Sequence, residues 1–412
     1  MPRYATVAVW AMRVLTGAMF VLSGWAKSVD PYGTVYKMEE YFAVWGLGGF
    51  PREITIILAV GLAALELTLG VALALGCLRR STPISALVVM AVMLPLSVYL
   101  AVAEPVAHCG CFGDLWVISN TATLIKNVAL TVLLVLLLKY YKAAQPLIRP
   151  WMQWMVLAAT IAYSLVLSFV GWQFQPVVDF RQYPVGSELV AEESETMPTY
   201  IYEKDGQQRE FPLNALPDST WTFVDVATQV AADDELAVFD GDDEVTADVL
   251  APEEGDCLLL VVSEPSIDVL SRARFTNELA DYAQSHGIRF IALVAASGQN
   301  FDIWNQYARP SFEAYSAADT ALKQLARGST ALVMLHDGRV AWKRNFSTLS
   351  PDLMQFDDPI EAIIKVDNGH VSLWLAGAFV TIILSIYLLG LIMPRPRRKP
   401  KSTQSETPAE NV

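Results

Sequence analysis

HCGCFGD, residues 108–114, holds two of the chain's four cysteines, one residue apart. Glycine between them permits the backbone that a C-x-C disulfide needs, because the ring it closes is small. A small ring is strained, and strained bridges are the more oxidising ones. His108 is adjacent, and Lys126 lies within about two turns of the outer end of the following apolar helix. A neighbouring cation stabilises a thiolate and raises its reactivity. Asp114 is placed to neutralise Lys126 or to orient His108. Cys109, Cys111, His108, Lys126 and Asp114 therefore fit a thiol–disulfide exchange site. They fit equally a staple between two helices, with Lys126 extending its stem to the membrane interface. A metal clamp would have only three ligands at poor spacing.

Two further charges fall inside apolar stretches, where charge is costly and marks function or a structural pair. Arg13 sits about a third of the way along the first stretch and Glu66 near the middle of the second. They are expected to pair across a helix bundle, fixing its register or forming a ligand site. Cys257 opens an apolar run; it reads as a small core residue or as a third thiol able to bridge to Cys109 or Cys111. Asp240, Asp242 and Glu244 alternate like a calcium loop, but no glycine stands at the sixth position, so a solvated turn is expected. The four histidines are dispersed, and no glycine-rich phosphate loop precedes a helix. Triad catalysis and nucleotide use therefore lack a motif.

The elements that must position these residues are mostly membrane helices. The chain has 412 residues, 53% of them hydrophobic, too apolar for an ordinary soluble protein. Stretches of spanning length run over 7–25, 54–78, 83–102, 121–138, 151–174 and 371–393. The first is too long for a signal-peptide core and lacks a cleavage site, so it is expected to be retained. Arg79 and Arg80, then Lys139, Lys142 and Arg149, then the cluster Arg395 to Lys401 fall on one face if the N-terminus is cytoplasmic. Both termini are then expected in the cytoplasm of a bacterial inner membrane, with the cysteine loop and residues 175–370 in the periplasm. Outside the cytoplasm, neighbouring thiols tend to be oxidised. Residues 175–370 carry 34 acidic and 13 basic side chains, which argues against nucleic acid as a partner.

Six regions follow. Residues 1–142 form a four-helix membrane module, and 151–174 a fifth helix. Residues 176–255 form an acidic segment with strand-like runs at 199–202, 221–226 and 236–239. Residues 256–366 alternate strand and helix: strands at 257–263 and 288–295, helices at 268–285, 299–307 and 317–326, a short strand near Ala314, and a hairpin over 331–344 turning at Asp337-Gly338. That pattern predicts a compact α/β domain with two parallel strands. Residues 371–393 form a sixth helix, and 394–412 a disordered cytoplasmic tail.

The first 142 residues resemble the DoxX-like family, in particular its methylamine-utilisation branch, MauE. The matching pieces are Arg13 with FVLSGWAKSVDP, Glu66 in LAALELTLG, CGCFGD, and Lys126-Asn127. Residues 176–365 resemble the outer domain fused to such modules in Bacteroidetes-type proteins, through YIYEKDG and LPDSTWTFVD. The later strand order is similar to a TlpA/thioredoxin-like domain. That domain is degenerate, because the turn after its first strand reads Glu264-Pro265-Ser266-Ile267-Asp268 with no CxxC, and Ser329-Thr330 replaces the expected proline. The resemblance implies help in disulfide formation or redox maturation of envelope proteins, with the C-x-C pair as redox element. DoxX and VKOR-like relatives imply a quinone as electron acceptor. The missing second thiol pair implies a thioredoxin-like dithiol partner. The fold class expected is an α-helical membrane protein, a four-helix bundle plus two transmembrane helices, carrying an extracytoplasmic α/β domain. The competing reading is a non-catalytic scaffold whose degenerate domain binds envelope proteins.

Overall fold

The computed structural model describes residues 3–190, 199–204, 207–212, 221–227, 236–250, 255–265, 270–356, 358–364 and 369–392. Six helices open the chain: α1 Arg3–Val29, α2 Pro31–Val44, α3 Arg52–Leu75, α4 Ser81–Ala103, α5 Asn120–Lys139 and α6 Pro150–Gln173. Strands β1 Thr199–Lys204, β2 Gln207–Pro212 and β3 Thr222–Ala227 follow, then β4 Val238–Asp240, β5 Asp243–Glu244 and α7 Thr246–Leu250. Next come β6 Asp256–Val262, α8 Ala273–Ser285, β7 Arg289–Val294, α9 Gln299–Ala308 and β8 Glu313–Ala317. The chain closes with α10 Asp319–Leu325, β9 Thr330–His336, β10 Arg339–Asn345, α11 Pro359–Ile364 and α12 Gly369–Ile392.

Among the described residues six helices, α1, α3, α4, α5, α6 and α12, are long and apolar enough to cross a membrane. Their pairing is set by small residues, since lipid offers no hydrophobic drive between helices and close backbone approach must supply the packing. A methyl group at Gly24 would overlap the backbone of Leu67, so α1 and α3 run antiparallel almost in backbone contact. α12 packs on α6 through Ile386, Met152 and Val156, with Tyr163 stacked on Phe379 at 4.4 Å.

α2 was not expected from periodicity. Its start is nonetheless written in the sequence: Asp30 caps it by accepting from the Gly33 N–H at 3.0 Å, and Pro31 follows at the first helical position. The two ends of the bundle differ in chemistry. At one end Arg13 donates to the Ala144 and Gln145 carbonyls at 3.3 Å, and Arg79 to Ala144 at 3.5 Å. At the other lie α2, the cysteine loop and the α/β domain.

The α/β domain is built on a seven-stranded sheet in the order β10-β9-β6-β7-β8-β4-β5. β6, β7 and β8 are parallel, one strand more than expected, and the β9–β10 hairpin runs antiparallel against β6. β6 and β7 read as continuous apolar runs because both faces are covered. Leu259, Val261, Ile291 and Leu293 pack toward α10; Leu258, Leu260, Phe290 and Ala292 pack toward α8.

The expected boundary at 255 is not a structural one. β4 and β5 extend the same sheet, and Tyr183, Leu189, Leu236 and Leu250 enter its core. Burial of those side chains is what holds the acidic segment to the domain. β1, β2 and β3 form a separate antiparallel sheet in the order β2-β1-β3. The expected helix start at Asp268 and the tail 394–412 lie outside the described residues.

Candidate functional site

The α4–α5 loop contributes Cys109, Gly110 and Cys111 to the wall of a cavity of about 150 Å³ inside the bundle. Gly110 has φ +69°, a conformation open to glycine, and its carbonyl accepts from the Gly113 N–H at 3.0 Å to close a tight turn. The two sulfurs stand 2.7 Å apart. Cys109 is buried with Leu100, Val106 and Tyr41, and the Tyr41 hydroxyl donates to the Cys109 carbonyl at 2.6 Å.

Below the loop is a buried polar cluster from α1 and α3. Lys27 Nζ lies 2.7 Å from Glu66 Oε2 and 2.6 Å from both Ser23 Oγ and the Cys111 carbonyl oxygen. Ser23 Oγ also donates to the Cys111 carbonyl at 2.5 Å. Lys27 and Glu66 are 6% and 5% exposed. At that depth an ion pair holds only if its remaining donors find acceptors, and the loop carbonyl is that acceptor.

The expected pairing of Arg13 with Glu66 is therefore replaced by Lys27 with Glu66. The reason is register. Gly24 faces Leu67, and Arg13 faces Gly76. Arg13 and Lys27 stand fourteen residues apart on one helix, roughly 21 Å at about 1.5 Å per residue.

Lys126 Nζ stands 4.3 Å from the centroid of the Phe112 ring and lines the cavity with Asn127. Ser23, Lys27, Lys37, Tyr41 and Glu66 also line it, and Met19, Leu62, Met90 and Leu130 supply apolar wall between them. Cys111 is held down to about 6: the hydrogen bond from Cys109 contributes most, burial opposes it, and Lys126 and Lys27 add to the lowering. Cys109 is pushed up by the same hydrogen bond and by burial.

Asp114 does not serve Lys126 or His108 as expected. It pairs with Arg327 in the loop before β9 of the α/β domain. A buried guanidinium needs carboxylates more than an interfacial ammonium does, and Arg327 is 2% exposed. Asp30 supplies the second carboxylate at 2.7 Å, and Arg327 also lies over the Tyr36 ring at 5.6 Å. Beside it Arg52 pairs with Glu264 at the end of β6, and the Gly328 N–H donates to Tyr36 Oη at 3.3 Å.

His108 is half-buried in the loop and is not among the residues lining the cavity. Cys257 opens β6 at the end remote from Glu264, about 20 Å of extended strand from this contact, so the fold does not bring it to Cys109 and Cys111. Among the described residues no group of three His, Cys, Asp or Glu side chains is arranged to hold a metal ion. Lys27, Ser23, Tyr41 and Arg327 were not singled out from sequence as site residues. A lysine near the end of an apolar helix signals only an interfacial cation, and nothing local marks Arg327.

A family model described as methylamine utilisation protein MauE matches residues 5–140, which span α1 to α5. A second, described as a domain of unknown function, DUF8463, matches residues 198–232, around β1 to β3. No curated protein and no solved structure matches the chain.

Proposed function

From a membrane protein with a MauE domain at residues 5–140, linked by that family's description to methylamine utilisation, we propose a thiol–disulfide redox protein of the bacterial inner membrane that assists disulfide formation in envelope proteins. Cys109 and Cys111 form the redox pair. In one half-reaction their disulfide accepts two electrons and two protons from an envelope dithiol, which leaves as a disulfide. In the other the pair returns to the disulfide by passing two electrons and two protons to an acceptor.

Cys111 is the exchanging thiol and Cys109 the one that resolves the mixed disulfide. Lys126 and Lys27 stabilise the thiolate. Lys27, Ser23 and Tyr41 hold the loop carbonyls, so the sulfurs keep their places through the cycle. The cavity beside Cys111 suits an apolar two-electron acceptor of the quinone class, since most of its wall is hydrocarbon and Lys126 and Asn127 offer donors to a carbonyl oxygen. Bound there, such a molecule supplies the electron sink. The α/β domain is periplasmic in this reading, consistent with the basic loops lying at the opposite end of the bundle.

The observation that carries the proposal is the thiol pair in the wall of a mostly apolar cavity, with the hydrogen bond from Cys109 and then Lys126 and Lys27 lowering the Cys111 thiol. The scaffold reading keeps one specific support: the turn after β6 has Glu264-Pro265 where a thioredoxin-like domain carries thiols. Thiol trapping across dithiol buffers in membranes, with added quinone, decides between them. Exchange with a midpoint above about −300 mV and quinone-dependent reoxidation is the expected result. A pair that resists reduction until the chain unfolds overturns it in favour of the scaffold.

A further inference from the structure

The α/β domain does more than sit beside the bundle. Its contact with the bundle is made by the C-terminal end of β6 and the loop before β9, the rim where parallel-sheet domains ordinarily bind ligands. Ser263 Oγ donates to the Gly328 carbonyl at 2.9 Å, joining the two segments into one lip. That lip places Glu264 on Arg52, and Arg327 on Asp30 and Asp114. Gln175 fixes the Arg327 backbone from both sides, accepting from its N–H at 3.0 Å and donating to its carbonyl at 2.8 Å. Arg327 is therefore a rigid, fully enclosed cation aimed at the bundle.

One of its two carboxylates belongs to the thiol loop. Asp114 follows Cys111 by three residues, across the turn closed by Gly110 and Gly113. The loop is thus gripped from below by Lys27, Ser23 and Tyr41 and from above by Arg327. A disulfide between residues two apart closes a small ring with its own backbone demands, and in the docked arrangement both cysteines are free thiols. With Gly110 the one residue between them, the loop backbone takes up part of that demand. The grip from below acts on the Cys109 and Cys111 carbonyls themselves, so the demand passes to the segment leading to Asp114.

We infer that docking of the α/β domain and the redox state of the Cys109–Cys111 pair are coupled through the Arg327–Asp114 ion pair, docking favouring the dithiol. Arg327 is a positioning residue for the thiol site. The inference rests on the redox reading above and adds the regulation of that site. Oxidation removes two electrons and two protons from the pair to the exchanging disulfide, forms the S–S bond and weakens the hold on Arg327. Undocking, in turn, makes the pair easier to oxidise. The two effects are one coupling free energy and must be equal in size.

The test uses the full chain in membranes, equilibrated against reduced and oxidised dithiothreitol and read by thiol trapping. Arg327→Ala is expected to shift the pair about tenfold toward the disulfide, a fall of about 30 mV for a two-electron couple. Arg327→Lys keeps one charge and is expected to recover part of the shift. Hydrogen exchange over residues 323–330 is expected to be faster in the oxidised wild type than in the reduced one. That difference vanishes in the Cys109→Ser, Cys111→Ser double variant, which also reports whether the domain folds and docks without the thiols. An Arg327→Ala equilibrium within twofold of wild type, or shifted toward the dithiol, overturns the coupling, as does identical exchange in both redox states. In either case a wild-type pair that equilibrates freely leaves the redox reading standing. A wild-type pair that cannot be reduced in the folded chain sinks the redox reading itself.

Discussion

Two regions of this molecule bury ionic clusters of similar size to different ends. In the bundle, Lys27 and Glu66 spend their spare hydrogen bonds on the carbonyl of Cys111, a residue of a loop that can react. At the base of the α/β domain, Asp179 binds Arg181 at 2.6 Å and Lys343 at 2.9 Å, and Lys343 donates to the Leu325 carbonyl at 2.7 Å. That carbonyl belongs to the framework, at the end of α10. A buried pair is weak evidence of stability by itself. What distinguishes the two is what the left-over donors hold: a chemical group in one case, the entry of the chain into its sheet in the other.

The largest test of the contrast is at the sulfurs. Cys111→Ser is expected to abolish exchange with an external dithiol, a loss of at least about 10³-fold set by the nucleophile. Cys257→Ser leaves exchange unchanged, because that residue lies at the far end of β6. Comparable losses from both would place Cys257 in the relay.

Removing one member of each cluster is next. Glu66→Gln and Asp179→Asn each leave buried cations without a carboxylate, at a cost of about 3–5 kcal/mol, read by thermal unfolding in detergent. Only Glu66→Gln is expected to change the alkylation rate of Cys111. A Lys27→Met, Glu66→Leu double variant recovers most of the stability, since an apolar pair of similar volume is tolerated. It does not recover exchange, because Ser23 alone then holds the Cys111 carbonyl and the Lys27 charge is gone. Equal effects of Asp179→Asn and Glu66→Gln on alkylation would erase the distinction.

The α/β cluster also has a pH signature. Burial opposes ionisation of Asp179, but Arg181 and Lys343 outweigh it and hold the carboxyl down to about 2 from 3.8. A depressed carboxyl contributes stability that is fully present above pH 3.8 and lost as pH falls through about 2, here about 2 kcal/mol. Acid unfolding of the wild type against Asp179→Asn measures it; parallel curves over that window would refute it.

For the thiol, the alkylation rate of Cys111 is expected to rise with pH about a midpoint near 6. Lys126→Gln should move that midpoint up by about one unit, a tenfold slower reaction below it. An unmoved profile would mean Lys126 acts only through its contact with Phe112. The smallest effect is expected at the exposed Arg274–Glu278 pair on α8, where Arg274→Ala should leave the thermal unfolding midpoint unchanged.

Local pattern made much of this molecule legible. The six apolar stretches became six helices of spanning length. The strands and helices from β6 to β10 fall close to where alternation and turn residues placed them, including the reversal at Asp337-Gly338. The residues that could carry redox chemistry were visible as types and spacing: Cys109, Gly110, Cys111 and Lys126.

Partners were not legible. The sequence offered Arg13 and Glu66 as two buried charges and a single natural pair, whereas helix register, fixed by a glycine-sized gap between α1 and α3, gave Glu66 to Lys27. Asp114 looked local to the thiols, and its partner came from a loop 213 residues on. Composition and period are properties of one segment, so the chain states them directly. An ion pair between segments depends on the distance and rotation between two bodies, and those quantities exist only once the helices and the sheet have packed.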